Sequence, residues 1–169
     1  MKYLKLENYH LPAIVDDEDY ERCVKYKWYA HEVGKSTKTI YVQRPTYNKI
    51  TKKKSTQFLH NFILGENING GGIDHKFSNG LDNRKTEIRF CTQSQNAANQ
   101  RKKQNCLCLF KGVTKRKNGK YVSQIKFKGI VIHLGTFIYP CEAALVYNKK
   151  AIELFGEFSR INFYVYGAI

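Results

Sequence analysis

The chain has 169 residues, 42% of them apolar and 14% aromatic, which suffices for real cores and excludes a disordered tail. It carries 29 Lys and Arg against 14 Asp and Glu, a net charge of +15. No apolar run approaches the roughly 18–20 residues that span a bilayer, and neither a basic amphipathic helix nor a lipidation signal is present, which argues against a membrane partner. The charge is uneven. Residues 41–120 hold 17 basic and 4 acidic groups, whereas residues 1–40 hold 7 of each. A block of that kind reads as a polyanion-binding surface, most simply nucleic acid. The five cysteines (23, 91, 106, 108, 141) are odd in number and form no C-x-x-C pair, so neither a disulfide framework nor a cysteine zinc site is expected. The N-terminus lacks a long apolar stretch, and the expected location is the cytoplasm of a host cell.

Three stretches differ in texture: 1–56, 57–105 and 106–169. In the first, Ala13-Ile14-Val15 predicts a strand before an acidic turn, Asp16–Asp19. Tyr26–Ala30 and Ile40–Arg44 predict two more strands. Lys52-Lys53-Lys54 reads as a turn or exposed edge, either a solvated loop or a phosphate contact. In the second stretch, Phe58–Gly65 predicts a short buried helix stopped at Gly65. A strand ends on Ile73-Asp74-His75, and a polar turn cluster follows over 78–84. Glu87–Cys91 predicts a second strand, and Thr92 a cap for a helix through Asn96 and Asn99. Arg101-Lys102-Lys103 opens a basic linker. In the third stretch, strands around Gly112-Val113, over 121–127 and over 130–134 precede a helix from Cys141 to Phe155. Asn118-Gly119 marks a hairpin, and Pro140 and Gly156 bracket the helix. The predicted class is α+β: a β-rich N-terminal segment, a strand–loop–strand–helix unit, and a three-stranded antiparallel sheet packed on one helix.

Asp74-His75 at a strand end, with Asn96 on a helix, carries the chemistry. A neutral His takes a proton from water. A carboxylate oxygen and an amide oxygen are hard donors suited to Mg²⁺ or Mn²⁺. Adjacent strand residues point to opposite faces, so Asp74 and His75 share a site only where the strand ends and turns. Leu59-His60, Ile73-Asp74-His75, Asn79 to Arg84, Ile88-Arg89, Gln95-Asn96 and Asn99 together resemble the HNH endonucleases of phages and mobile introns. The match spans about 45 residues and implies a ββα-metal nuclease unit. Asp16–Tyr20 and Tyr26–Tyr29 look like the N-terminal region of the same family. The resemblance implies that His75 is the general base and that Asp74 and Asn96 bind one metal ion per active site. In the family's second strand an Asn orients the catalytic His, and here that place is Glu87. Two readings stay open: Glu87 accepts a bond from the His75 ring, or it points elsewhere and activity is weakened. Asn83 supports the catalytic loop or simply forms the turn. His60 is structural or lies near the phosphate.

Phe110–Val113, Asn118–Tyr121, Gln124-Ile125, Leu134–Phe137, Glu142–Ala144, Ala151, Gly156 and Asn162-Phe163 look like the Apetala/ethylene-response-factor DNA-binding domain. That resemblance implies a sheet laid in the DNA major groove, where each base pair shows its own donor and acceptor pattern. By the same resemblance Lys111, Arg116, Gln124, Lys126 and His133 fall at DNA-contacting positions, with Lys102 and Lys103 in the basic linker before them. Two family contacts are replaced by Thr114 and Asn118, so the plant-type target is not expected. The implied function is a site-specific, homing-type endonuclease on double-stranded DNA that nicks one strand per chain, with monomer and dimer both open. The alternative is a DNA-binding regulator whose nuclease site has decayed. An RNA-binding protein is the third option, kept by the sheet aromatics.

Overall fold

The computed structural model describes residues 1–34, 38–67, 70–102 and 108–162. The fold is α+β, built from small antiparallel sheets and four helices among the described residues. It forms two compact units, Met1–Thr92 and Gln93–Ile169.

In the first unit, β1 (Lys2–Leu4) pairs with β2 (Ala13–Val15). Leu4, Ala13 and Val15 are all buried. The expected acidic turn is instead the start of a helix, α1 (Asp17–Cys23). The correction has a simple cause: Asp17, Glu18 and Asp19 occupy its first turn, where the helix dipole favours negative charge. Arg22 in the last turn bonds the buried Asp19 (Nε to Oδ1, 2.8 Å) and donates to the carbonyls of Phe62 (3.2 Å) and Ile63 (2.9 Å). Those carbonyls end α2 (Leu59–Leu64), which otherwise leaves them unpaired.

A three-stranded sheet follows in the order β3 (Tyr29–Val33), β4 (Thr39–Asn48) and β5 (Lys53–Phe58). The strand expected from Tyr26 begins only at Tyr29. Trp28 before it is fully buried and donates its indole N–H to the Cys23 carbonyl (2.9 Å), which fixes the chain at a corner. The lysine triplet is a turn that runs into an exposed edge strand, the two forms expected of it. Lys52 sits in the left-handed region (φ 53°), and Lys53 and Lys54 already pair with Asn48 and Tyr47. Last in this unit, β6 (Gly72–His75) and β7 (Ile88–Cys91) form an antiparallel pair. One core joins Leu4, Leu6, Val15, Trp28, Val42, Leu59, Ile63 and Ile88, so the segment before residue 57 is packed together with the strand that faces His75.

The second unit opens with α3 (Gln93–Asn99). Its sheet runs in the order β10 (Ile130–Phe137), β9 (Tyr121–Phe127), β8 (Val113–Lys115). Helix α4 (Pro140–Phe155) lies on one face. Ala143, Ala144 and Ala151 are almost fully buried, small residues that let the helix approach the strands. Gly112 (φ 74°) is required twice over, because a Cβ there would stand 1.9 Å from the Tyr147 ring. Asn162 closes the unit. It accepts the Lys111 backbone N–H (2.6 Å), donates to the Lys111 carbonyl (3.1 Å) and exchanges bonds with Asn148 on α4.

Candidate active site and nucleic-acid interface

β6 stops at His75, and the chain turns at once: Ser78, with φ 56°, donates its N–H to the His75 carbonyl (2.9 Å). Asp74 and His75 are both buried. The hairpin register places Arg89 opposite Asp74, and its Nε (3.2 Å) and Nη2 (3.1 Å) both donate to Asp74 Oδ2. This cross-strand partner had a signal in the sequence, since counting back along the hairpin pairs the two residues.

The His75 ring is oriented by Asn83, whose Oδ1 lies 3.3 Å from Nε2. Asn83 is fully buried, and its amide is held the right way round by donation to the Gly80 carbonyl (3.2 Å). With Nε2–H donating to Asn83, the neutral ring keeps Nδ1 as its basic nitrogen. Gly80 itself fits because a Cβ there would stand 2.1 Å from the Ile40 carbonyl oxygen. The loop is stapled to β2: Ile14 donates to the Leu81 carbonyl and accepts the Asn83 N–H, both at 2.8 Å. Asp16 accepts the Lys85 backbone N–H (2.7 Å), and the Lys85 ammonium pairs with Glu18 and, at 3.5 Å, with Asp19. Asp82 and Arg84 close a further ion pair at 2.7 Å.

Rings surround the imidazole. His60 stands edge-on to it at 5.1 Å, and Tyr41 lies 5.7 Å away. Tyr41 had no local signal, because it reaches the site from a distant strand. Burial lowers the His75 pKa, against the Asn83 bond and the Asp74 and Asp82 charges that raise it. A neutral imidazole at neutral pH results, the form a general base requires. Burial, with the charge of His75, pushes the His60 pKa down to about 3. His60 stacks on Phe58 at 5.3 Å and its Nδ1 has no hydrogen-bond partner among the described residues, which describes a packed ring.

His60 therefore gives stability a pH dependence of definite sign. Between pH 6.5 and about 3 the unfolded chain binds a proton that the folded ring refuses. Stability is lost on acidification through that window by up to about 1.4 kcal/mol per pH unit. The His60→Leu chain is expected to show a flatter acid limb in urea unfolding between pH 6 and 4. An unchanged limb would contradict the assignment.

A cavity of about 230 Å³ opens beside His75, lined by Lys76, Phe77, Asn79, Asp82, Arg84 and Glu87. Glu87 lies one residue before β7. Its carbonyl accepts the Lys76 N–H (2.9 Å) and its carboxylate accepts the Thr86 hydroxyl (3.4 Å). The orienting bond described for the His75 ring is to Asn83, while Glu87 shares the cavity wall. Asn96 is half-buried on α3, which belongs to the second unit. Among the described residues no group of three or more His, Cys, Asp or Glu side chains is arranged to hold a metal ion. Asp74 and Asn96 are oxygen donors. The Asp74 carboxylate fits Mg²⁺, which is bound through one or two carboxylates and completes its shell with water and substrate phosphate.

In the second unit the strand alternation turns Ser123 and Ile125 inward and leaves Gln124 and Lys126 exposed. His133, also exposed, pairs directly with Gln124 across β10 and β9. Arg116 is exposed at the β8–β9 hairpin, where its N–H donates to the Lys120 carbonyl (2.8 Å). Lys111 stands apart from these. Its ammonium donates to the carbonyls of Ala98 and Gln100 (2.8 Å for the latter), at the C-terminal end of α3. Burial, with the Arg160 charge, lowers its pKa to about 8. Lys102 is partly buried, and Lys103 lies outside the described residues.

No protein-family profile matches the chain. An uncharacterized HNH endonuclease of Acanthamoeba polyphaga mimivirus, L560, is 31% identical over 139 residues, which cover 82% of this chain and 67% of the viral protein. The chain belongs to the HNH endonuclease family. Shorter stretches of this HNH protein match Arabidopsis thaliana dehydration-responsive element-binding proteins. The protein named 2C is 38% identical over 61 residues, 35% of this chain and 18% of its own length. The protein named 2D is 40% identical over 60 residues, 34% and 29%. The plant likeness is therefore to a module: these matches span less than a third of either plant protein.

Proposed function

We propose that this HNH protein is a homing-type, site-specific endonuclease that hydrolyses phosphodiester bonds in double-stranded DNA, acting in the cytoplasm of a host cell. The observation that carries the reading is His75, buried and neutral, oriented by Asn83 and opening onto a cavity that also presents Lys76 and Arg84. His75 takes a proton from the attacking water. Asn83 holds the ring in one tautomer, and the neighbouring rings keep bulk water from its back. Lys76 offers the phosphate a cation at the cavity wall, where Arg84 is already paired with Asp82. Asp74 and Asn96 would hold one Mg²⁺ or Mn²⁺, which when bound supplies charge neutralisation at the phosphate and the leaving 3′ oxygen. The products carry a 5′ phosphate and a 3′ hydroxyl. One site per chain means one strand cut per engagement. A double-strand break would need two chains.

Arg116, Gln124, Lys126 and His133 would lie against the duplex, with Gln124 suited to adenine and the cations to guanine or phosphate. No described helix is long and apolar enough to cross a membrane. The test uses supercoiled DNA carrying the target region. Discrete nicks with Mg²⁺ and none with EDTA are expected. With about six phosphate contacts, log Kd against log salt has a slope of magnitude near 5. Specific binding with no cleavage under any divalent cation would instead make the chain a regulator with a decayed site. A slope near zero would remove the extended DNA interface.

A further inference from the structure

The second unit contains a cleft of about 860 Å³ between α3 and the three-stranded sheet. Among the described residues its charged lining is all of one sign: Lys102, Lys111, Lys126 and Lys128, with no Asp or Glu. Lys111 is already engaged with the α3 carbonyls. Lys126 is exposed beside Gln124, and Lys128 is exposed at the β9–β10 turn with its φ at 47°. Lys102 is the anomaly. Its Nζ is closed off from solvent at the cleft wall and has no hydrogen-bond partner among the described residues. A shielded ammonium without an acceptor is strongly disfavoured, and an anion is the ligand that relieves it.

We infer that this cleft is a phosphate seat, with Lys102 as its floor and Lys126 and Lys128 as its rim, and that the phosphate belongs to a nucleic-acid backbone running past the exposed sheet face. The identity of the donor rests on the DNA-binding reading above, whereas the seat rests on the orphaned ammonium and the one-signed cleft. Three features make a diester phosphate the fitting occupant. It brings one negative charge to a site that has surplus positive charge. Its oxygens accept from an ammonium in any azimuth, which suits a flexible lysine better than a bidentate ligand would. It is also tethered to neighbours that continue along Gln124 and Lys126. The seat would hold the backbone on the strand side of α3, so that the linker and the sheet grip one stretch of duplex.

The test uses the full chain. Binding to a random-sequence duplex is measured against salt for the wild type, Lys102→Gln, Lys102→Arg and Lys149→Gln. Lys149 is exposed on α4 and does not line the cleft. Lys102→Gln is expected to reduce the magnitude of the salt slope by about 0.9, the value of one phosphate contact. Lys102→Arg should restore it, and Lys149→Gln should leave it in place. A folded Lys102→Gln chain with the wild-type slope overturns the proposal. A second arm follows the Lys102 ammonium resonance by NMR while inorganic phosphate is added. Saturable movement in the wild type is expected, even if no duplex binds. Binding of phosphate without duplex keeps the seat and overturns its nucleic-acid source. No movement with either phosphate or duplex removes the seat.

Discussion

Cleavage by a His75→Ala chain is expected to fall by about 10²–10⁴-fold, the usual worth of a positioned acid–base group, while duplex affinity stays close to wild type. Two features separate this from damage by misfolding. His75 is the last residue of β6, so its side chain can be removed without breaking the ladder that pairs it with Ile88. The space it leaves adjoins the existing cavity of about 230 Å³, where a small base can enter. Added imidazole is therefore expected to restore part of the rate to His75→Ala and to do nothing for the wild type. The measurement is the initial nicking rate of supercoiled DNA with Mg²⁺, with and without imidazole. A His75→Ala chain that cuts at the wild-type rate would remove the general-base assignment.

The second large effect is on stability. Trp28→Ala is expected to cost about 3–5 kcal/mol, the range for emptying a buried large aromatic site. Trp28 is fully buried, its indole packs edge-on to Phe62 at 5.5 Å, and its N–H satisfies the Cys23 carbonyl. Alanine leaves a cavity and removes one of the two donors to the Cys23 carbonyl, which keeps the Tyr26 N–H (3.1 Å). Since domains are stable by about 5–15 kcal/mol in all, this one change removes a large part of the margin. The same core includes Ile88, opposite His75, so nicking should disappear at the temperature where this unit melts. Urea unfolding followed by tryptophan-independent circular dichroism measures the loss. A cost below about 1 kcal/mol would show that the site collapses around the hole.

What the sequence made legible follows from how local each signal was. The strand ending at Asp74-His75, the helix stopped by Gly65 and the hairpin at Asn118-Gly119 are short-range patterns, and the corresponding elements are present. β5 is legible only as an exposed edge at its lysines, because Lys53–Thr56 are exposed and carry no apolar alternation; its pairing with β4 is what makes it a strand. The acidic run before Tyr20 reads as a turn, yet acidic residues also suit the first turn of a helix, and the burial of Asp19 and Cys23 goes with the helix. In the site, Asp74 and His75 stood out by residue type and position. The role of Asn83 depended on a bond across eight residues and a loop, and Tyr41 on a contact between elements far apart in the chain. Lys111, at a DNA-contacting position by resemblance, has its ammonium on the end of a neighbouring helix, a contact that no local pattern signals.

The bonds between Ile14 and the Leu81–Asn83 loop bear on how such a nuclease can be moved between proteins. The segment from residue 57 onward contains His75, Asn83 and Asp74, yet the backbone groups that seat Asn83 come from the first sixteen residues. A graft of that segment alone would transfer the reactive groups without their anvil. In a growing chain, the same dependence means that the N-terminal strands must wait, folded or not, for a loop made nearly seventy residues later. The portable unit of this nuclease is consequently larger than its motif.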